Sequence, residues 1–364
     1  MNKIKAFLAR KGVVCSFRQY GVDALGAMAQ GLFCTLLLGT ILNTLGQQLH
    51  IGFLTAPVVS VGTVSYTVGG LASAMVGPGI AVAIGTALHC PPLVLFSLIP
   101  VGFAANAMGG AGGPLAVYAV TIIAAELGKL VSKETRIDIL VTPCVTVIAG
   151  IAVAQLIAAP IGTAARAVGL AIMWATELQP FFMGVLVSAL IGIALTLPIS
   201  SAAICAAFGL TGLAGGAAVA GCCAQMVGFA VMSFKENRWG GLVAQGVGTS
   251  MLQMPNILKN PRIWIPPTLA SMITGPLATC VFKLQMNGSP VSSGMGTCGF
   301  VGQIGVYTGW VSDIAAGTKA AITPMDWIGL VLICFILPAV LSTLFCRVLE
   351  KRGWIREGDM KLDL

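Results

Sequence analysis

Residues 174–201 read W-A-T-E-L-Q-P-F-F-M-G-V-L-V-S-A-L-I-G-I-A-L-T-L-P-I-S-S. Between Pro180 and Pro198 the run is apolar apart from single hydroxyls, with the carboxylate of Glu177 just before it and Ser200 and Ser201 just after. An uncharged stretch of that length predicts a helix in hydrocarbon. An ionisable group at the lip of such a helix marks a solute or ion path, or rests in headgroup water, and both readings of Glu177 stand at this point.

Composition extends that reading to the whole chain. Of 364 residues, 57% are hydrophobic and 9% charged, where a soluble domain is roughly a quarter charged. With a mean hydropathy of +0.95, the sequence predicts an all-α polytopic membrane protein. Its 46 glycines suit helices that approach closely or break inside a bilayer. The net charge of +8 is gathered at the two ends and in short connections, which is a topology signal and not a nucleic-acid footprint, so no nucleic-acid partner is expected. The eleven cysteines form no C-x-x-C pair and no Cys/His zinc spacing; neither a disulfide framework, a metal nor a cofactor is expected. The basic start, followed by more basic residues, does not read as a cleavable signal.

In chain order, residues 1–20 interleave Lys3, Lys5, Arg10, Lys11 and Arg18 with Ile4, Phe7, Leu8, Val14 and Phe17. This is either an amphipathic helix on the anionic cytoplasmic leaflet or a solvated basic tail that sets orientation. Both put the N-terminus inside. A first span covers 23–45, the Gly-, Ser- and Thr-rich piece 51–67 reads as a re-entrant or broken segment, and 69–88 is a clearer span. From His89 the chain turns rich in proline and glycine, which predicts an interrupted helix with freed backbone groups, and His89 and Asn106 become candidates for a polar ligand. Spans at 115–131 and 139–159 flank the basic connection Lys129, Lys133 and Arg136, expected to be cytoplasmic. Beyond Ser201, residues 202–234 form one small-residue run holding Gln225, and 241–258 are apolar but carry Gln245, Gln253 and Asn256. A span at 263–284, a Gly/Ser loop or weak span at 287–308 and a last span at 327–345 follow. Arg347, Lys351, Arg352 and Arg356 then anchor a cytoplasmic tail, residues 351–364. The total is about ten transmembrane helices with both ends inside, and in that count Lys235 to Arg238 fall on the outer side, against the positive-inside rule.

The two membrane halves, 21–173 and 174–350, echo each other. Q-G-L-F-C-T-L-L-L-G from Gln30 matches M-G-V-L-V-S-A-L-I-G from Met183, A-M-V-G at Ala74 matches Q-M-V-G at Gln225, G-T-A-L at Gly85 matches G-T-S-M at Gly248, and G-P-L-A recurs at Gly113 and Gly275. If each half holds an odd number of spans, the halves are inverted repeats with a midplane site between them. Asp23 and Glu177 are then counterpart carboxylates and candidates for a proton or ion site.

With T-L-P-I-S-S-A-A-I from Thr196 and P-V-S-S-G-M-G-T-C-G-F-V-G from Pro290, the whole chain resembles the membrane IIC component of bacterial phosphotransferase-system sugar permeases, and more narrowly the standalone branch that includes proteins described as regulators of perfringolysin. The resemblance implies a homodimer in the bacterial cytoplasmic membrane that translocates a sugar. Phosphoryl transfer is left to separate IIA and IIB proteins, because the chain has no phosphoryl-accepting cysteine motif and no soluble IIA or IIB domain. It also implies a sugar-binding glutamate within a G-I-T-E motif. Ala175 to Glu177 keep the Thr-Glu pair without the preceding Gly-Ile, so the role passes to Glu177 on part of the motif. An ionised carboxylate accepting hydroxyl hydrogens in a dry cavity is a strong single contact for a polyol. Gln225, Gln253, Asn106, Ser200 and Ser201 can supply the others, or serve as polar glue between helices. Two further readings remain open: an ion-coupled carrier of a small metabolite that uses Glu177 or Asp23, and a membrane sensor acting through a partner.

Overall fold

In a computed structural model the described residues are 7, 8, 10–13 and 16–362. Of the basic N-terminal segment, Lys3, Ile4, Lys5 and Val14 therefore lie outside the described residues. The chain divides into two compact units, Met1–Ala164 and Ala165–Leu364. The division falls inside one helix, ahead of the 173/174 boundary read from the sequence.

The first unit is an up-and-down array. Helix α1, Arg18–Gln48, runs antiparallel to a bent pair, α2 (Val68–Ala74) and α3 (Val76–Ala87), whose axes differ by 54°. Helices α4 (Pro92–Gly109) and α5 (Gly113–Val131) follow. Although residues 92–131 form one apolar stretch, they fold back on themselves, because Gly110 takes φ 53° and ψ −123°. A Cβ at Gly128 would lie 2.8 Å from Val94, and one at Gly113 would lie 2.4 Å from Asn106, so α4 and α5 are a hairpin. Helix α6, Asp138–Thr176, descends along α5, with Thr146 against Gly128.

The expected re-entrant piece at 51–67 is something else. Residues Val59–Val61 (β1) pair antiparallel with Val64–Tyr66 (β2) in the register Val61↔Val64, and the hairpin is exposed. The cause is local: V-S-V-G-T-V-S-Y alternates β-branched with polar residues around a two-residue turn, and Gly62 supplies the required positive φ of 60°.

In the second unit, α7 (Pro180–Thr196), α9 (Gly212–Met232), α12 (Ile265–Pro276) and α14 (Pro324–Lys351) form the bundle. Helix α9 is its central post, with 16 of its 21 residues buried. Its composition permits this, since Gly and Ala let neighbours approach at backbone distance; a Cβ at Gly221 would sit 1.9 Å from the Ser188 carbonyl. Ser188 touches Gly221 and Thr196 bonds Gln225, so α7 and α9 run parallel.

Consecutive parallel helices need a connection that travels back along the bundle. Residues 197–211 make that return as broken backbone containing the short helix α8, Ser201–Ala207. The run 202–234 is thus a returning segment followed by a helix, where the sequence suggested one span. The consequence is that residues 233–243, including α10 (Phe234–Val243), share an end of this unit with the C-terminal tail. Asn237 donates to the Met360 carbonyl at 2.8 Å, and Glu236 accepts from the amides of Gly358 and Met360 at 2.8 and 3.0 Å. Lys235 to Arg238 and the basic tail therefore lie together, which removes the conflict that a simple span count creates.

The internal echo behaves differently in each unit. Gly39 approaches Gly69 in the first unit as Gly192 approaches Gly221 in the second, yet the first pair joins antiparallel helices and the second joins parallel ones. The matched sequences share a habit of close approach, not a common path.

Among the described residues five helices are long and apolar enough to cross a membrane, or six with the bent pair counted as one. Resolving 92–131 into two helices of 18 and 19 residues and adding the 17 residues of α7 brings in elements near the minimum crossing length, about 17 residues.

Candidate functional site

Two segments of the second unit enter the bundle without crossing it. The first leaves the Met232 end of α9. A π-helical turn at Ala244–Gly248 leads to Thr249 in extended backbone, then a 3₁₀ turn Ser250–Gln253, then α11 (Met254–Lys259), which returns to the same end. The second enters from the Gly212 end, where Gly212 and Met286 exchange backbone hydrogen bonds of 3.0 Å. It descends along α9, with Gly296 against Cys222 and the Thr297 hydroxyl 3.5 Å from the Met226 sulfur. Helix α13, Val301–Ala315, climbs back beside it. Irregular backbone of this kind is tolerated at membrane depth only where protein or a cavity covers it.

The sequence makes these tips possible. Gly296 has φ 54°, and a Cβ there would meet the Cys222 Cβ at 2.6 Å and the Cys223 nitrogen at 2.9 Å. Gly294 faces the Ser201 carbonyl, and the Ser201 hydroxyl donates to the Gly294 carbonyl at 2.7 Å. The two tips meet: turn 244–248 packs against turn 298–300, with Gly246 near Ala230 and Gly296 near Cys222 on α9.

Beside this junction lies a buried polar network. The Thr196 hydroxyl donates to Gln225 Oε1 at 3.3 Å and shares a 2.9 Å bond with Ser250. Trp264 Nε1 donates to the same Gln225 oxygen at 3.0 Å, and Gln225 Nε2 donates to Thr268 at 3.1 Å. A second network pins the other limb of the first hairpin. Gln245 donates to Ser233 at 2.9 Å, Gln253 donates to Gln245 Oε1 and to the Met360 carbonyl at 2.9 Å each, and Asn256 donates to Gln253 Oε1 at 2.9 Å. Such groups are costly to bury unpaired, so each amide holds its neighbours in place. Gln303 differs: its amide donates to the Cys223 sulfur at 3.2 Å, but its buried oxygen has no partner among the described residues.

Of the residues singled out from sequence, Gln225, Gln253 and Ser201 come to the two hairpins, and Ser200 caps α8 by accepting from the Ala203 amide at 3.1 Å. Glu177 is exposed in the turn between α6 and α7. It lies beyond the opposite end of α7 from Thr196, roughly 25 Å along the helix axis at 1.5 Å per residue. Asp23 is exposed on α1, His89 is exposed in the left-handed turn between α3 and α4, and Asn106 is half-buried between Gly77 and Gly113. All three belong to the first unit. Thr196, Ser250, Trp264 and Thr268 escape a sequence reading, because single hydroxyls and an indole in apolar runs carry no spacing signature; Gln303, an amide in an apolar run like Gln225, carries the signal yet is not singled out there.

A bundle of apolar helices with two half-crossing segments that meet around buried amides and hydroxyls is the architecture of a multi-pass solute carrier. A family model described as "Phosphotransferase system, EIIC" matches residues 22–362. The chain belongs to that family. Membership makes it a multi-pass inner-membrane component of a sugar phosphotransferase system, working with IIA and IIB proteins. Neither curated proteins nor solved structures give a significant match.

Proposed function

We propose that this chain is the sugar-translocating subunit of its system and holds its solute at mid-depth in the second unit, where the two half-crossing segments meet. The observation that carries this reading is the contact between turns 244–248 and 298–300 beside Gln225, Thr196 and Ser250. A neutral polyol needs several fixed donors and acceptors in a water-poor pocket, and amides and hydroxyls supply both without the cost of burying a charge. We assign the solute contacts to Gln225, Ser250 and Ser201, with Gln253 setting the position of the hairpin. Glu177, Asp23, His89 and Asn106 stand as secondary candidates, of which Glu177 has the partial motif in its favour.

The same reading gives ten crossings, five in each unit, with residues 197–211 as the broken one. An even total leaves both termini on one side, and the basic residues at 10–18, 129–136 and 347–356 make that side cytoplasmic. The subunit acts as a homodimer, and the solute is phosphorylated by a IIB protein as it leaves.

The test is the ligand-induced thermal shift of the purified protein across sugars, hexitols and carboxylates, since any ligand of the native state raises the melting temperature by mass action. A sugar shift lost in Gln225→Ala and reduced in Ser250→Ala supports the site. A shift from carboxylates alone, or proton-driven uptake without a phosphoryl donor, overturns it in favour of an ion-coupled carrier. A sugar shift lost only in Glu177→Gln moves the site to the α6–α7 turn.

A further inference from the structure

At the end of the second unit where the 285–300 segment enters, a cavity of about 480 Å³ opens. That volume lies within the usual range of small-molecule sites, roughly 300–1,000 Å³. It is walled by both limbs of the half-crossing hairpin and by the connection that follows. Gln285 and Asn287 stand where the chain goes in, Trp310 and Asp313 where α13 comes out, and Lys319 and Asp326 lie at the approach to α14.

The lining carries two cations and two carboxylates, Lys283 and Lys319 against Asp313 and Asp326. Lys319 and Asp326 pair at 2.9 Å. With the charges balanced, the lining carries no net charge that would favour an ion of either sign. What it offers is hydrogen-bonding capacity left over from its internal bonds. One carboxylate oxygen of Asp313 accepts from Asn287 at 2.8 Å, and no donor reaches the other among the described residues. Asn287 also donates to Gln285 Oε1 at 3.2 Å, and the Gln285 amide hydrogens have no acceptor among the described residues. The Trp310 indole N–H and the Lys283 ammonium likewise have no acceptor among the described residues. Trp310 is almost wholly buried, and with Phe282 it adds an apolar wall. Each hydroxyl of a polyol donates one hydrogen bond and accepts others. An acceptor, several donors and aromatic edges around a neutral cavity therefore match the edge of a sugar ring.

We propose that this cavity is a second, outer binding site for a neutral mono- or disaccharide, loading the hairpin from the end opposite the C-terminal tail. The inference rests on the sugar-permease reading above, and the two can fail separately. The walls belong to the limbs of the hairpin whose tip forms the mid-depth junction, so occupancy of the outer cavity bears directly on the segment that reaches the inner site.

The experiment is equilibrium binding to the full chain in nanodiscs, with glucose, N-acetylglucosamine, mannitol, maltose and cellobiose as probes and citrate as the charged comparison. It is run on the unmodified protein and on Asp313→Asn, Gln285→Ala and Gln225→Ala. Gln285 is exposed, so its variant keeps the test sound if Asp313→Asn folds poorly. The expected result is two phases of binding for one of the neutral sugars. The weaker phase survives Gln225→Ala, loses about tenfold in affinity in Asp313→Asn, the scale of one lost charge-assisted bond, and loses roughly threefold in Gln285→Ala, the scale of one neutral bond. Binding that vanishes in Gln225→Ala and ignores both outer variants overturns the outer site and leaves the inner one standing. Preference of the cavity for citrate also overturns it. Absence of binding by every neutral sugar overturns both sites.

Discussion

The side-chain amide of Gln253 donates to the main-chain carbonyl of Met360 at 2.9 Å. This bond joins the half-crossing segment 244–259 to the last residues of the chain. Glu236, Asn237 and Asn256 add five more bonds of 2.8–3.0 Å to the backbone of residues 358–362. The tail is thereby held as a strap, with a turn at 357–360, across the mouth of the segment.

Removing the strap should loosen the hairpin and not the bundle. Truncation after Gly353 is expected to lower the melting temperature and to raise hydrogen exchange in 244–259, with α12 unchanged. Gln253→Ala should cost about 1–3 kcal/mol, since it leaves the buried Gln245 oxygen without its donor and takes one of two donors from the Met360 carbonyl. Exchange mass spectrometry of the truncated and full-length proteins is the measurement.

Gly296 and Gly317 both have positive φ, 54° and 72°, but only Gly296 is crowded. Gly296→Ala is expected to destabilise by more than about 2 kcal/mol and to abolish transport, combining backbone strain with a clash against Cys222. Gly317→Ala, with open space around it, should show the strain alone, about 1 kcal/mol. Thermal unfolding of the two variants side by side separates the contributions.

Thr196 and Ser250 share one hydroxyl–hydroxyl bond in a buried site. Thr196→Val and Ser250→Ala should each cost about 1–3 kcal/mol. Because they act on one bond, the double variant should cost less than the sum by at least about 0.5 kcal/mol. A double-mutant cycle on melting temperature decides this, and strict additivity would mean that this bond does not couple α7 to the first hairpin.

At the N-terminal end, Glu134 accepts from Lys11 and Arg10, at 2.6 and 3.0 Å. The hydrogen bond from Lys11 is the main cause that holds its carboxyl below the ordinary value of 4.5, with the two cations adding to it. A depressed carboxyl stabilises the contact above its unfolded value and loses that effect as the pH falls through the folded value. The contact of Glu134 with Arg10 and Lys11 should therefore be fully present at pH 7 and weaken as the pH falls below 4.5, while the bonds to the Ser132 and Gly12 carbonyls persist. Glu134→Gln should remove this pH dependence. Protease accessibility of the segment across pH 3 to 7 is the check.

Much of the molecule is legible in residue order. The apolar runs predict the helical membrane class, the basic clusters at 129–136 and 347–356 predict a shared side, and P-V-S-S-G-M-G-T-C-G-F-V-G at Pro290 is one of the runs that carry the resemblance to the family. These features are local: a run of apolar side chains, or a glycine where φ turns positive, has its meaning within a few residues. Gln225 and Gln253 also announce themselves, because an amide in an apolar run demands a partner.

Tertiary structure decided the rest. Whether residues 92–131 cross once or fold back, whether 202–234 is one helix or a return followed by a helix, and which amide answers which hydroxyl all depend on what packs against α9. The parallel course of α7 and α9 is set by the Ser188–Gly221 approach and the Thr196–Gln225 bond, between residues about thirty positions apart. Hydropathy cannot report it, since a crossing segment and a half-crossing one are equally apolar and differ only in where their backbone polar groups find partners.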